Sequence, residues 1–234
     1  MPIISVVGSR QSGKTLTVEA ITRGLTMKGY KVATAKHIPE ADFTIDTEEK
    51  DTWKHAKAGA HIVFAVAPKE LTVIRKMDTA KLDIDFLVQQ CENEVDVLIL
   101  EGFRKLVAKN PLIPKIVTIK TAAEFTEAAD AFEPILAFEA PSNLSAGKSK
   151  IPVVDALKEP KILVEIIDKR VGSIIMKRRL AKDELDVRLN ERILPLNPFV
   201  QQYVRNVLFG MLSELKTAEI KGDEDISIRI KKKR

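Results

Sequence analysis

An α/β fold, a mostly parallel sheet flanked by helices with a small α+β module after it, is what this sequence of 234 residues predicts. Three observations lead there. Short β-branched runs alternate with helical apolar patterns over the first two thirds of the chain, the pattern of parallel strands joined by crossover helices. The run Val95-Asp96-Val97-Leu98-Ile99-Leu100 is the most apolar strand candidate in the chain, as a central parallel strand buried on both faces should be. A charge break then sets the tail apart. The formal net charge is +5, yet residues 161–234 hold 17 Lys/Arg against 11 Asp/Glu, so the whole basic excess lies there. Such a break marks a change of module, and the predicted domains are 1–160 and 161–234.

In chain order, Ile3–Val7 is the first strand. The helix after it carries Val18, Ile21 and Leu25 at helical spacing and stops at Gly29, a residue suited to a left-handed cap. Lys31–Ala35 is the second strand. A helical stretch over Lys50–Ala58 leads to His61–Val66, which Pro68-Lys69 separates from Leu71–Ile74; these two are expected to pair as a hairpin at an antiparallel edge of the sheet. Ile84, Leu87, Val88 and Cys91 make a further helical stripe, and Cys91 on that apolar face reads as a buried, inert thiol. The strand ending at Leu100 follows, and Lys115–Lys120 and Ile135–Phe138 complete the sheet. In the tail, Ser173–Arg179, Leu185–Leu189 and Ile226–Ile230 read as one-sided strands. Asn197-Pro198 caps a helix whose stripe is Val200, Val204, Val207, Leu208, Met211 and Leu215, giving the order β-β-α-β.

No apolar run approaches the roughly 20 residues of a membrane-spanning helix. Pro2–Val7 runs directly into strand-like sequence with no leader pattern, so a cytoplasmic protein is expected. Interleaved aromatics for base stacking are absent from the basic tail, which argues against nucleic acid as its partner. That tail, with Lys177, Arg179, Arg188, Arg229 and Lys231, is expected instead to dock an acidic protein surface or to form a dimer.

The segment Gly8-Ser9-Arg10-Gln11-Ser12-Gly13-Lys14-Thr15 satisfies G-x-x-x-x-G-K-[ST] at every fixed position, after a strand and before a helix. Glycine lets the backbone turn so that its N–H groups converge on phosphate oxygens, and the helix N-terminus adds positive potential. Lys14 is placed for the β- and γ-phosphates, and the Thr15 hydroxyl offers Mg²⁺ a hard oxygen. A second acid is expected at the carboxyl end of a neighbouring strand, where open α/β sheets bind ligands. Asp96 opens its strand and Glu101 closes it, on the order of 16 Å apart at about 3.3 Å per residue. Glu101 therefore stands at the correct end, to hold the metal through water or to orient the nucleophile. Lys36-His37 follows the second strand as Gly8 follows the first, so both are expected on the phosphate rim. The loop after them, with Glu40, Asp42, Asp46 and Asp51, is expected to lie over the site with acids for metal or proton transfer.

Taken together, Gly8–Thr15, Lys36-His37, the run Asp46…Lys50-Asp51-Thr52-Trp53-Lys54-His55…Ala58-Gly59-Ala60 and Leu100-Glu101-Gly102-Phe103 resemble the molybdopterin-guanine dinucleotide biosynthesis protein B family, MobB. The resemblance covers roughly residues 1–160, and the tail looks like an extension of archaeal relatives. It implies a GTP-binding, slowly hydrolysing homodimer that assists a molybdopterin guanylyltransferase in molybdenum or tungsten cofactor assembly. It also implies nucleotide contacts by Gly13, Lys14 and Thr15, with Asp46, Asp51 and Glu101 near the metal. Two departures stand out: Ile38-Pro39-Glu40 lacks a further histidine that many relatives carry there, and Glu49 takes a position often held by glycine. No Asn-Lys-x-Asp guanine motif is present, and Ser145-Ala146-Gly147-Lys148 reads either as a base contact or as a plain turn. Two other functions are compatible with the P-loop: a small-molecule or nucleotide kinase, and an interaction module that nucleotide stabilises.

Overall fold

The computed structural model describes residues 1–144, 149–182, 187–189, 192–194 and 196–213. The elements run β1 (Ile3–Gly8), α1 (Lys14–Met27), β2 (Val32–Lys36), α2 (Asp51–Lys57), β3 (Ile62–Ala67), β4 (Glu70–Arg75), α3 (Ile84–Gln89), β5 (Val97–Glu101) and α4 (Arg104–Val107). They continue with β6 (Lys115–Thr118), α5 (Ala122–Ala131), β7 (Ile135–Glu139), β8 (Val153–Val154), α6 (Pro160–Lys182), β9 (Arg188–Leu189), β10 (Arg192–Ile193) and α7 (Pro198–Ser213). The chain divides into two compact units, Met1–Met176 and Lys177–Arg234.

In the first unit six parallel strands lie in the order β2-β5-β1-β6-β7-β8. Alternation along each strand feeds two cores. Ile4, Val6, Val97 and Ile99 point to one face, where Val18, Ile21 and Leu25 of α1 and Leu163, Ile167 and Val171 of α6 cover them. Val7, Leu98, Leu100, Val117 and Phe138 point to the other, against Val107 and Phe125. The predicted α/β class is therefore what forms, with β5 buried at every position. At the end of α1, Gly29 takes φ 80°. The Gly29 N–H reaches the Thr26 carbonyl and the Tyr30 N–H the Leu25 carbonyl, which closes the helix where the glycine predicted.

Three expectations are corrected. The hairpin of β3 and β4 forms, with Phe64 opposite Val73 and Val66 opposite Leu71, but as a separate two-stranded sheet and not as an edge of the main one. Residues Ser173–Arg179 are helical, inside α6. Their β-branched run suits a strand, yet Val171 and Ile175 extend the buried stripe of Leu163, Val164 and Ile167, and packing overrides local preference. For the same reason the first unit runs past residue 160: the charge break coincides with the start of α6, whose apolar side belongs to the core ahead of it.

In the second unit β9 and β10 pair antiparallel. Asn197 caps α7, its side-chain oxygen accepting from the Val200 N–H at 2.9 Å, with Pro198 as the first helical residue, as the sequence predicts. The expected strand Ile226–Ile230 and the Ser145–Lys148 segment lie outside the described residues.

Candidate functional site

The β1–α1 loop shows why its glycines are there. Gly8 adopts φ 156°, and a Cβ built on it would stand 2.1 Å from Thr118 Oγ1 and 2.7 Å from Ser12 Oγ. Gly13, at φ 85°, is the left-handed residue from which α1 begins. Between them Ser12 is buried, donating to the Ser9 carbonyl at 2.8 Å and meeting Thr118 Oγ1 at 2.5 Å. The outer side is braced from α5 and from the segment just before it: Ser9 Oγ donates to Glu124 at 3.0 Å, and Lys120 Nζ donates to the Arg10 carbonyl at 3.0 Å. Backbone hydrogen bonds from Lys120, with the Ser9 hydroxyl, hold Glu124 below its ordinary carboxylic pKa, so the brace is ionised at neutral pH. Arg10 and Gln11 are exposed at the tip, Gln11 at φ 57°.

Lys14 Nζ folds back on its own loop, donating to the Ser9 carbonyl at 2.5 Å and the Gly8 carbonyl at 3.4 Å. Burial lowers its pKa; Glu101 acts the other way, and the nearby Lys36 and Lys120 lower it further. An ammonium that is partly dehydrated and crowded by two others is a receptor for multiple negative charge.

The second acid is where strand order places it. Glu101 closes β5, opposite Val6 of β1 on one side and Lys36 of β2 on the other. It is 7% exposed, and its Oε1 accepts from Thr15 Oγ1 at 2.8 Å and from Lys36 Nζ at 3.0 Å. Lys36 Nζ also donates to Thr15 Oγ1 at 3.2 Å. Gly102, at φ 86°, returns the chain toward β1, its N–H on the Val6 carbonyl, and leaves room for His37, whose ring meets Phe103 edge-on. His37 is exposed on the same rim.

Mg²⁺ bound at 2.0–2.1 Å places adjacent octahedral oxygens about 2.9 Å apart. Thr15 Oγ1 and Glu101 Oε1, at 2.8 Å, have that separation. Among the described residues no group of three or more His, Cys, Asp or Glu side chains could cage a metal. One carboxylate and one hydroxyl, completed by phosphate oxygens and water, is the usual magnesium arrangement at a P-loop.

Asp46 and Asp51 are placed differently. Asp46 Oδ1 accepts from the Thr52 hydroxyl and the Thr47 N–H, both at 2.9 Å, while its Oδ2 is shielded from solvent with no hydrogen-bond partner. Asp51 opens α2 and faces Lys54 at 3.9 Å. The loop that carries them joins the carboxyl end of β2 to α2.

One acid was not anticipated. Glu139 closes β7 as Glu101 closes β5, and its Oε2 lies 3.7 Å from where a Gly13 Cβ would stand. Burial, with the nearby Asp155 carboxylate, pushes its pKa up to about 7, opposed by hydrogen bonds to the Ala156 N–H and to Thr17. Asp155 itself is held at about 2, chiefly by the Ser142 hydroxyl. The signal was available in the sequence, an acid ending an apolar strand before Ala140-Pro141.

The family model "Molybdopterin guanine dinucleotide synthesis protein B" matches residues 3–138. Relatives named as molybdopterin-guanine dinucleotide biosynthesis adapter proteins include one from Methanocaldococcus jannaschii, 35% identical over 121 residues, and one from Haemophilus influenzae, 30% identical over 117. These alignments cover 51% and 50% of this chain and 48% and 62% of the relatives, so the chain spans about half to three fifths of their length. A crystal structure of molybdopterin-guanine biosynthesis protein B superposes with TM-score 0.55 at 24% identity, covering 73% of this chain and 99% of that one. Bacillus subtilis MobB gives 0.54 at 23%, covering 71% and 98%. These two likenesses establish a shared fold.

Proposed function

Because the chain belongs to the molybdopterin guanine dinucleotide synthesis protein B family, we propose that it is a GTP-binding, slowly GTP-hydrolysing accessory protein of molybdenum-cofactor dinucleotide assembly, acting with Mg²⁺ beside a guanylyltransferase partner in the cytoplasm. The observation that carries this reading is the P-loop with Thr15 and Glu101 set 2.8 Å apart at its mouth. In this function the Gly8–Thr15 backbone and Lys14 hold the phosphates, and Lys36 and His37 line the rim. Thr15 and Glu101 hold the metal, which when bound neutralises phosphate charge. Asp46 and Asp51 serve the metal side from the loop after β2, and the unpartnered Asp46 Oδ2 is the atom available for that task. No helix among the described residues is long and apolar enough to cross a membrane.

Thermal-shift titration with GTP, ATP and their diphosphates in Mg²⁺ tests the proposal. GTP should raise Tm more than ATP at equal concentration, by mass action on the folded state. Equal shifts would remove the guanine assignment and favour a kinase; no shift from any nucleotide would remove the phosphate site.

A homodimer belongs to the same proposal. Phe64, Val66, Leu71 and Val73 are exposed on one face of the β3–β4 ribbon, as two cross-strand pairs. A lone two-stranded ribbon is marginal in water, and an apolar patch of this kind marks a protein-binding surface. Phe64→Asp should turn a dimer into a monomer in sedimentation velocity, with nucleotide affinity unchanged. A dimer that persists in the variant places the interface elsewhere.

A further inference from the structure

Three polar side chains close a triangle at the mouth of the loop: Thr15 Oγ1 to Glu101 Oε1 at 2.8 Å, Lys36 Nζ to Glu101 Oε1 at 3.0 Å, and Lys36 Nζ to Thr15 Oγ1 at 3.2 Å. The strand order makes this triangle. β2 borders β5, β5 borders β1, and Lys36 sits directly across from Glu101 in the parallel register. The two oxygens have the spacing of adjacent magnesium ligands, and a cation already sits on both.

We propose that the Lys36 ammonium is a resident cation that holds the divalent-metal position in the nucleotide-free protein, so that lysine and metal take Thr15 and Glu101 in turn. The proposal rests on the nucleotide and metal reading of this site and assigns Lys36 a duty beyond facing phosphate.

Electrostatics gives the reason. The Glu101 carboxyl is almost fully buried and cannot leave, so it needs a cation at all times. Lys14, the nearest alternative, is turned toward the Gly8 and Ser9 carbonyls. Lys36 reaches Glu101 from the solvent side, with its side chain 53% exposed on a flexible four-carbon stem. It can therefore withdraw without opening the core. An ammonium and a divalent ion cannot share Oε1 and Oγ1, since they compete for the same lone pairs and repel at short range. Free divalent ions consequently bind poorly, because they must displace an ammonium that already holds both oxygens. A nucleotide changes this balance: its phosphates bring the metal and give the displaced ammonium an anion to meet. Lys36 thus couples metal entry to nucleotide entry.

The test uses Mn²⁺ alone, titrated into nucleotide-free full-length protein and read by electron paramagnetic resonance of the free ion. Lys36→Met should bind Mn²⁺ at least tenfold more tightly than wild type. Lys36→Arg, which keeps the charge, should stay as weak as wild type. Adding Glu101→Gln to Lys36→Met should abolish the gain. If Lys36→Met does not fold by far-UV circular dichroism, Lys36→Gln carries the same expectation. A neutral variant that binds Mn²⁺ no better than wild type overturns the proposal, as does an arginine variant that gains as much as the neutral one. Nucleotide binding without Mn²⁺ tightening rejects the resident cation and keeps the proposed function. Tightening without nucleotide binding does the reverse.

Discussion

Lys14→Ala is expected to cost roughly a hundredfold or more in GTP affinity while leaving Tm within a few degrees of wild type. A lysine on phosphate makes charge-assisted hydrogen bonds of about 1.5–3 kcal/mol, and 1.4 kcal/mol is a factor of ten in affinity. The low dielectric around a partly buried ammonium raises that figure, and nothing else on the loop replaces it. Lys14 donates to the Gly8 and Ser9 carbonyls of its own loop, and water reaches that rim when the side chain is gone. The loop itself is held by the Ser12–Thr118 contact and by Glu124, neither of which uses Lys14. Calorimetric titration with GTP and Mg²⁺, beside a melting curve, checks both halves. Wild-type affinity in the variant would overturn the phosphate assignment; a fall in Tm on the order of 10 °C would make Lys14 a structural residue.

The part of this site that could be read in the sequence is the part made by local chain geometry. Gly8, Gly13, Lys14 and Thr15 are fixed by one turn between one strand and one helix, so their spacing carried their arrangement. Glu101 needed one further rule, that ligands gather at carboxyl strand ends, and it was enough to choose between Glu101 and Asp96. The Lys36 contact was beyond reach because it depends on β2 lying beside β5, a neighbour relation between elements some 60 residues apart. Sequence position put Lys36 on the rim facing phosphate, whereas the structure turns its ammonium onto the Glu101 carboxylate. Glu139 was missed although it obeys the same strand-end rule as Glu101; without the order β1-β6-β7, nothing showed that its strand ends beneath Gly13. The hairpin failed differently. Its pairing is local and was legible, whereas its separation from the main sheet depends on what the other strands exclude. In α6 the error was one of period: Ser173–Ile175 is too short a run to show 3.6-residue spacing by itself.

Ending the chain at Pro160 is expected to unfold the first unit, whereas ending it at Lys182 should leave the fold and GTP binding intact. Charge alone puts the module border at 160, and packing moves it. Leu163, Val164, Ile167, Val171 and Ile175 are each no more than 4% exposed and share one core with Val18, Ile21 and Leu25 of α1. Burying side chains of this kind is worth about 1.5–3 kcal/mol each, so five approach the roughly 5–15 kcal/mol that holds a whole domain. The contact is also close. Gly24 has no side chain because a Cβ there would come 2.3 Å from Val164 Cγ2, so α1 has given up helix propensity to let α6 in. Asp168 fixes the other end, accepting from Lys28 Nζ at 2.8 Å and from the Tyr30 hydroxyl at 2.5 Å, and those two donors hold its pKa below the ordinary range. Deleting α6 would expose Val18, Ile21 and Leu25 to water and leave Lys28 and Tyr30 without this acceptor. Far-UV circular dichroism and thermal melts of the two fragments, with GTP titration of whichever folds, decide the matter. A cooperative melt of fragment 1–160 near that of the full chain would return the border to the charge break and make α6 a dispensable cover; loss of GTP binding in fragment 1–182 would instead assign part of the nucleotide site to the basic tail.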